Sequence, residues 1–194
     1  MKKHQTIQPY VQGDHDALCG FYAILNCLRI CMADLDLSHA FYHDLLEYMI
    51  WHDRERAATY LVRGLSIADL DRAVSNAGRY VKRQLARPVV VRRPFEHSRV
   101  LGSGSCLGQI AQHIGRPTRS CIIALGHDHY AYHWTVAERI TPWSVLLADS
   151  CNDKSISRTG LKALSGRKAP ESPKSWMPRA TFFLAVAEPG YVRV

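Results

Sequence analysis

The sequence predicts an α+β fold, with helices first and an antiparallel sheet last. Apolar residues in the first half recur at spacings of three and four, the period of one buried helix face. From residue 120 onward they come in short runs, some of them alternating, broken by Gly, Pro and Thr, as strands and turns are. Helices followed by strands, without regular alternation, point away from a parallel α/β winding. The 194 residues contain no internal repeat and no linker-like stretch, so 1–194 is expected to form one domain.

The first helix is placed by Phe21, Ile24, Leu25 and Leu28, continuing to Cys31 or Met32. Ser38 is a natural N-cap for a second helix over about 39–52, with Phe41, Tyr42, Leu45, Leu46, Met49 and Ile50 on one side. Gly64 breaks the segment after it. Ser66 and Asp69 form a capping box that opens a third helix through Leu70, Ala73, Val74 and Ala77, expected to stop at Gly78. Residues 88–91 read as a short strand closed by Pro94. The glycine-rich stretch 102–108 lacks the Lys and Ser/Thr of a phosphate-binding loop; Ser105 is expected to cap a short helix ending at Gly115. Strands are expected over 120–125, 132–140 and 144–149, with a hairpin turn at Thr141-Pro142. A polar loop over 151–179 leads to a closing strand at 181–186.

Composition removes several classes of function. Hydrophobic residues at 47% and charged residues at 22% are those of a globular domain, neither disordered nor fibrous. No apolar run reaches the length of a membrane span, so no membrane span is expected. The first ten residues carry two lysines but no apolar stretch of a secretory signal. The expected location is cytoplasmic, or outside the cell by a route that uses no such signal, as for an injected effector. Six cysteines without that signal read as six reduced thiols. There is no C-x-x-C pair, and His127, Asp128, His129 and His133 lack a second ligand pair, so no metal and no other cofactor is expected, a zinc protein using the His127–His133 cluster being the weakest of three readings.

The net charge is +8, concentrated in two basic stretches. One holds Lys82, Arg83, Arg87, Arg92, Arg93 and Arg99; the other Lys154, Arg158, Lys162, Arg167, Lys168, Lys174 and Arg179. Such surfaces suit an acidic partner, whether nucleic acid, an anionic membrane surface or an acidic protein, or simply form a solvated face. No nucleic-acid-binding motif accompanies them. A catalytically inactive basic binding module is therefore the alternative to an enzyme.

The chemistry points to an enzyme. Cys19 stands where a polar, glycine-containing loop meets the first helix. Free N–H groups and the positive end of the helix dipole at such a place favour a thiolate over a thiol. His133 opens one strand of the expected hairpin and Asp149 ends its partner, so antiparallel pairing brings the two together at the sheet rim. A cysteine with an imidazole oriented by a carboxylate is the arrangement nucleophilic catalysis needs. Gln12, in the loop before Cys19, is the side-chain amide best placed in sequence to join a backbone N–H in stabilising an oxyanion. Cys106 is the reserve nucleophile, with no base marked beside it; His127 and His129 compete with His133.

A Gln ahead of Cys-Gly at a helix start, a late His followed by an apolar strand, and a strand ending in Asp resemble the papain-like cysteine peptidases. The compact bacterial branch that cuts leader peptides after a double glycine is the most similar. The likeness covers two blocks, about 40 residues in all, in the order Cys, His, Asp. It implies a papain-like fold, with the cysteine helix packed on an antiparallel sheet carrying His and Asp. It further implies Cys19 as nucleophile, His133 as general base, Asp149 as its orienter and Gln12 as oxyanion donor. The substrate would be a protein or peptide amide bond, with deamidation or acyl transfer as variants on the same thioester. The family places five residues between Gln and Cys, whereas Gln12 and Cys19 enclose six. Gln8, or no side-chain donor, is therefore the alternative.

Overall fold

The structure, a computed structural model, describes residues 8–11, 17–97, 102–126, 133–159, 161–163 and 175–188. Five α-helices and an eight-stranded sheet follow one another much as expected, helices towards the N-terminus and the sheet towards the C-terminus. The helices are α1 (Cys19–Cys31), α2 (His39–Trp51), α3 (Ala57–Arg63), α4 (Ile67–Leu85) and α5 (Ser103–Ile114). The strands are β1 (Val89–Arg92), β2 (Arg119–Leu125), β3 (His133–Ile140), β4 (Ser144–Ala148), β5 (Ser155–Ser157), β6 (Lys162–Ala163), β7 (Ser175–Trp176) and β8 (Phe182–Val186). Among the described residues no helix is long and apolar enough to cross a membrane.

The strand order β1-β8-β2-β3-β4-β5 is antiparallel throughout; β7 adds to the end of β2, and only the short β6–β7 pair is parallel. Both faces of the sheet are covered. Ile122, Ala124, Trp134, Val136, Phe182 and Leu184 pack with α1, α2 and α4 in one core. Cys121, Ile123, Leu125, Val145, Leu147 and Trp176 pack with Cys106, Leu107 and Ile110 of α5 in a second. Burial on two sides is why β2 reads as an unbroken apolar run rather than an alternation.

Four expectations need correction. The capping box at Ser66 and Asp69 is present, but α4 continues seven residues past Gly78. Tyr80 and Val81 keep its buried stripe going, and that outweighs the roughly 1 kcal/mol cost of an interior glycine. α5 begins two residues before Ser105, with Gly102 as its N-cap. α3 lies in the segment ahead of Gly64, where no helix was predicted. The expected loop 151–179 holds three short strands and a 3-10 turn at Pro178–Ala180.

The entry to α1 is set by close packing. Gly64, with φ +68°, ends α3 and sends the chain to Leu65. The Ala17 amide donates to Leu61 O at 3.2 Å, tying the approach to α1 onto α3. The Trp134 indole N–H donates to Leu65 O at 2.8 Å from inside the core. A methyl group at Gly20 would lie 3.2 Å from both Leu65 Cβ and the Trp134 ring. Glycine thus lets the first turn of α1 settle against β3. Further along the helix, buried Asn26 exchanges hydrogen bonds with the Tyr10 backbone at 2.7 and 3.2 Å, laying residues 8–11 along α1.

Gly20→Ala is expected to destabilise the protein by about 1–3 kcal/mol through overpacking. Gly108→Ala, at an exposed α5 position with nothing within 4 Å of the new methyl, should instead stabilise by about 0.5–1 kcal/mol. Urea unfolding of the two variants checks the contrast, and equal effects would refute this packing account.

Candidate active site

Cys19 is the first residue of α1 and is buried, 8% exposed. Leu18 ahead of it supplies no side-chain cap. Among the described residues, the first-turn amides of Cys19 and Gly20 have no backbone or side-chain acceptor, so they remain available to an oxygen placed at the helix end. Such amides, with the positive end of the helix behind them, suit an oxyanion.

His133 opens β3, 4% exposed, and Asp149 directly follows β4, 1% exposed. The register pairs Val136 with Ala148, which brings the next residues outward, Thr135 and Asp149, to the same rim. His133 Nε2 lies 2.7 Å from Asp149 Oδ2. Cys19 lies close enough to the ring to add to the rise of its pKa. The other carboxylate oxygen, Oδ1, accepts from the Cys151 backbone N–H at 2.6 Å. Asp149 therefore opens a turn with one oxygen and holds His133 with the other. A turn residue and an orienting carboxylate are the same side chain here.

The charges follow from this geometry. Burial alone would lower the His133 pKa, but the hydrogen bonds and charges of Asp149 and Cys19 raise it to about 10. Burial alone would raise the Asp149 pKa. The hydrogen bond and charge of His133 outweigh it, with smaller help from the Cys151 amide, and hold the carboxyl below its usual value. At neutral pH the pair is an imidazolium against a carboxylate.

The structure thus brings Cys19, His133 and Asp149 together, whereas Gln12, His127, Asp128 and His129 lie outside the described residues. Gln8 sits far from Cys19. Its carbonyl accepts from the Arg29 guanidinium at 2.6 Å, ten residues or about 15 Å along the helix from Cys19. Cys106 is fully buried in the second core, where burial pushes its thiol pKa up, and no base accompanies it. One neighbour went unrecognised in the sequence. Cys151 is exposed, and its Sγ lies within 4.8 Å of ligand atoms of both His133 and Asp149. The available signal was its position two residues after Asp149, where a side-chain-capped turn brings residue i+2 back beside the carboxylate.

Comparison with protein-family models, curated proteins and solved structures finds no match.

The basic stretches are partly spent on the fold. Arg87 is buried and pairs with Asp34 at 2.8 Å, and Arg93 pairs with Glu96 while donating to the Arg179 carbonyl at 3.1 Å. Arg158 donates to Thr141 O at 2.7 Å. Arg99, Arg167, Lys168 and Lys174 lie outside the described residues.

The shifted pair links stability to pH. His133 is raised from 6.5 to about 10, so its contribution is complete below pH 6.5 and is lost as pH rises through about 10. Asp149 is lowered from 3.8, so its contribution is present above that value and is lost at more acid pH. Asp149→Asn should cost about 1.5–3 kcal/mol between pH 4 and 6.5, the usual worth of a hydrogen bond to a charged group. The deficit relative to wild type should shrink as pH approaches 10. Urea unfolding across this range tests it; a deficit independent of pH would show that the pair is not charged.

Proposed function

We propose that the chain is a cysteine-dependent hydrolase of the papain-like kind, cleaving a protein or peptide amide bond through a thioester acyl-enzyme. The observation that carries this reading is the His133 ring held between Cys19 at a helix N-terminus and Asp149 at 2.7 Å. In the proposed cycle the Cys19 sulfur attacks the substrate carbonyl carbon, while its proton resides on His133. The carbonyl oxygen becomes an oxyanion facing the Cys19 and Gly20 amides, and the likeness to the peptidases assigns Gln12 as a further donor. Collapse of the tetrahedral intermediate breaks the C–N bond, and His133 delivers the proton to the leaving amine. Water, activated by the now neutral imidazole, hydrolyses the thioester, releasing the acid and restoring the thiolate beside the imidazolium. Asp149 keeps the ring in the orientation and tautomer that each transfer uses. Hydrolysis, glutamine deamidation and acyl transfer share the thioester and differ in the amide attacked or the nucleophile that resolves it.

The test is iodoacetamide alkylation of all six cysteines, followed by peptide mass spectrometry across pH. Cys19 should react fastest at pH 6, and His133→Ala should slow it there by about a hundredfold or more, the lower edge of what a positioned acid–base group supplies. Cys19 reacting no faster than Cys151 at every pH would sink the proposal.

A further inference from the structure

Cys151 takes no part in the proposed cycle, yet it sits on the rim of the site. It is the exposed member of the six free cysteines. Its own amide grips Asp149 Oδ1, which fixes the residue beside the carboxylate. A ring nitrogen of His133, a carboxylate oxygen of Asp149 and Cys151 Sγ all lie within 4.8 Å of one another. Imidazole, carboxylate and thiolate are the three side-chain donors that Zn²⁺ accepts. Hard ions such as Mg²⁺ and Ca²⁺ prefer all-oxygen sites.

The fit requires little movement. With metal–ligand lengths of 2.0–2.3 Å, tetrahedral donors stand about 3.3–3.6 Å apart. Nε2 and Oδ2, at 2.7 Å, would separate by about 0.6 Å to admit the ion. Cys151 is exposed, so rotation of its side chain brings Sγ the rest of the way. Both residues behind the ion are buried, while the Cys151 side is open to solvent, which gives an entry path and leaves a fourth position for water.

We propose that His133, Asp149 and Cys151 form a zinc-binding site on the rim of the candidate active site. The ion takes the Nε2 lone pair and displaces the proton there; the Cys151 thiol gives up a second proton, and both pass to solvent. Binding follows from the geometry of the three ligands alone and does not depend on the function proposed above.

Cobalt(II), a coloured stand-in for zinc, tests the site. Wild-type protein should bind one Co²⁺ with a sulfur-to-cobalt charge-transfer band that Zn²⁺ abolishes by displacement. Cys19→Ser should keep the band; Cys151→Ser should lose it, with affinity falling about tenfold or more. His133→Ala should also lose affinity. A band that survives in Cys151→Ser or vanishes in Cys19→Ser overturns the ligand assignment, as does absence of binding at millimolar metal. If the metal-free Cys19 reacts like an ordinary thiol while cobalt binds as described, the zinc site stands and the hydrolase reading falls.

Discussion

The site depends on how closely the first turn of α1 approaches β3, and that distance is set by Gly20 packed against Trp134 and Leu65. Trp134 directly follows His133, so the surface that seats the helix and the residue that presents the imidazole are neighbours in one strand. The Trp134 hydrogen bond to Leu65 O joins that strand to the chain leaving α3, which in turn holds Ala17 two residues before Cys19. Cys19 and His133 are therefore placed by one continuous piece of core. A change in this packing would move sulfur and imidazole relative to each other with no substitution at either.

The electrostatics add a second constraint. Taking a carboxylate and an imidazolium out of water costs several kcal/mol per ion, and a buried pair seldom repays that better than well-packed apolar residues would. What limits the cost here is complete pairing: one Asp149 oxygen meets the imidazole, the other the Cys151 amide. As a device for stability the pair is poor. As a device for fixing one orientation and one tautomer of a ring beside a thiol it is effective, and perturbed charges arranged this way are characteristic of functional sites. The ion pairs around Asp69 differ in kind. Arg56 and Arg72, both more than two-fifths exposed, join that carboxylate to the capping box of α4, a structural task that accounts for them fully.

The sequence showed most of the site, because its parts are local. The period of α1, the hairpin turn at Thr141-Pro142 and the strand ends at His133 and Asp149 each leave a pattern within about ten residues, and antiparallel pairing does the rest. What escaped is non-local. β5, β6 and β7 are two or three residues long and are held by neighbouring strands rather than by any alternation of their own. Ser105 suits a cap by residue type, but the helix starts at Ser103, whose hydroxyl donates to Leu161 O and accepts from the Ala163 amide, partners some sixty residues away. The continuation of α4 past Gly78 is likewise a tertiary effect: Tyr80 and Val81 are buried, and a methyl group added at Gly78 would reach Val89 of β1 at ordinary contact distance, so the helix runs on beside the sheet.

The thiols make the same point chemically. Cys27, Cys31, Cys106 and Cys121 are at most 1% exposed, and burial pushes up the pKa values of Cys31, Cys106 and Cys121. Those thiols serve as small apolar side chains that fill the two cores. Cys19 and Cys151 differ from them in standing beside the His133 ring: Cys19 helps to raise its pKa, and Cys151 Sγ lies within 4.8 Å of it. That place does not make Cys151 acidic, since burial and the Asp149 charge push its thiol up to about 11. An inner thiol and an outer one thus meet at one imidazole, and the Asp149 turn that carries Cys151 is also what orients that ring.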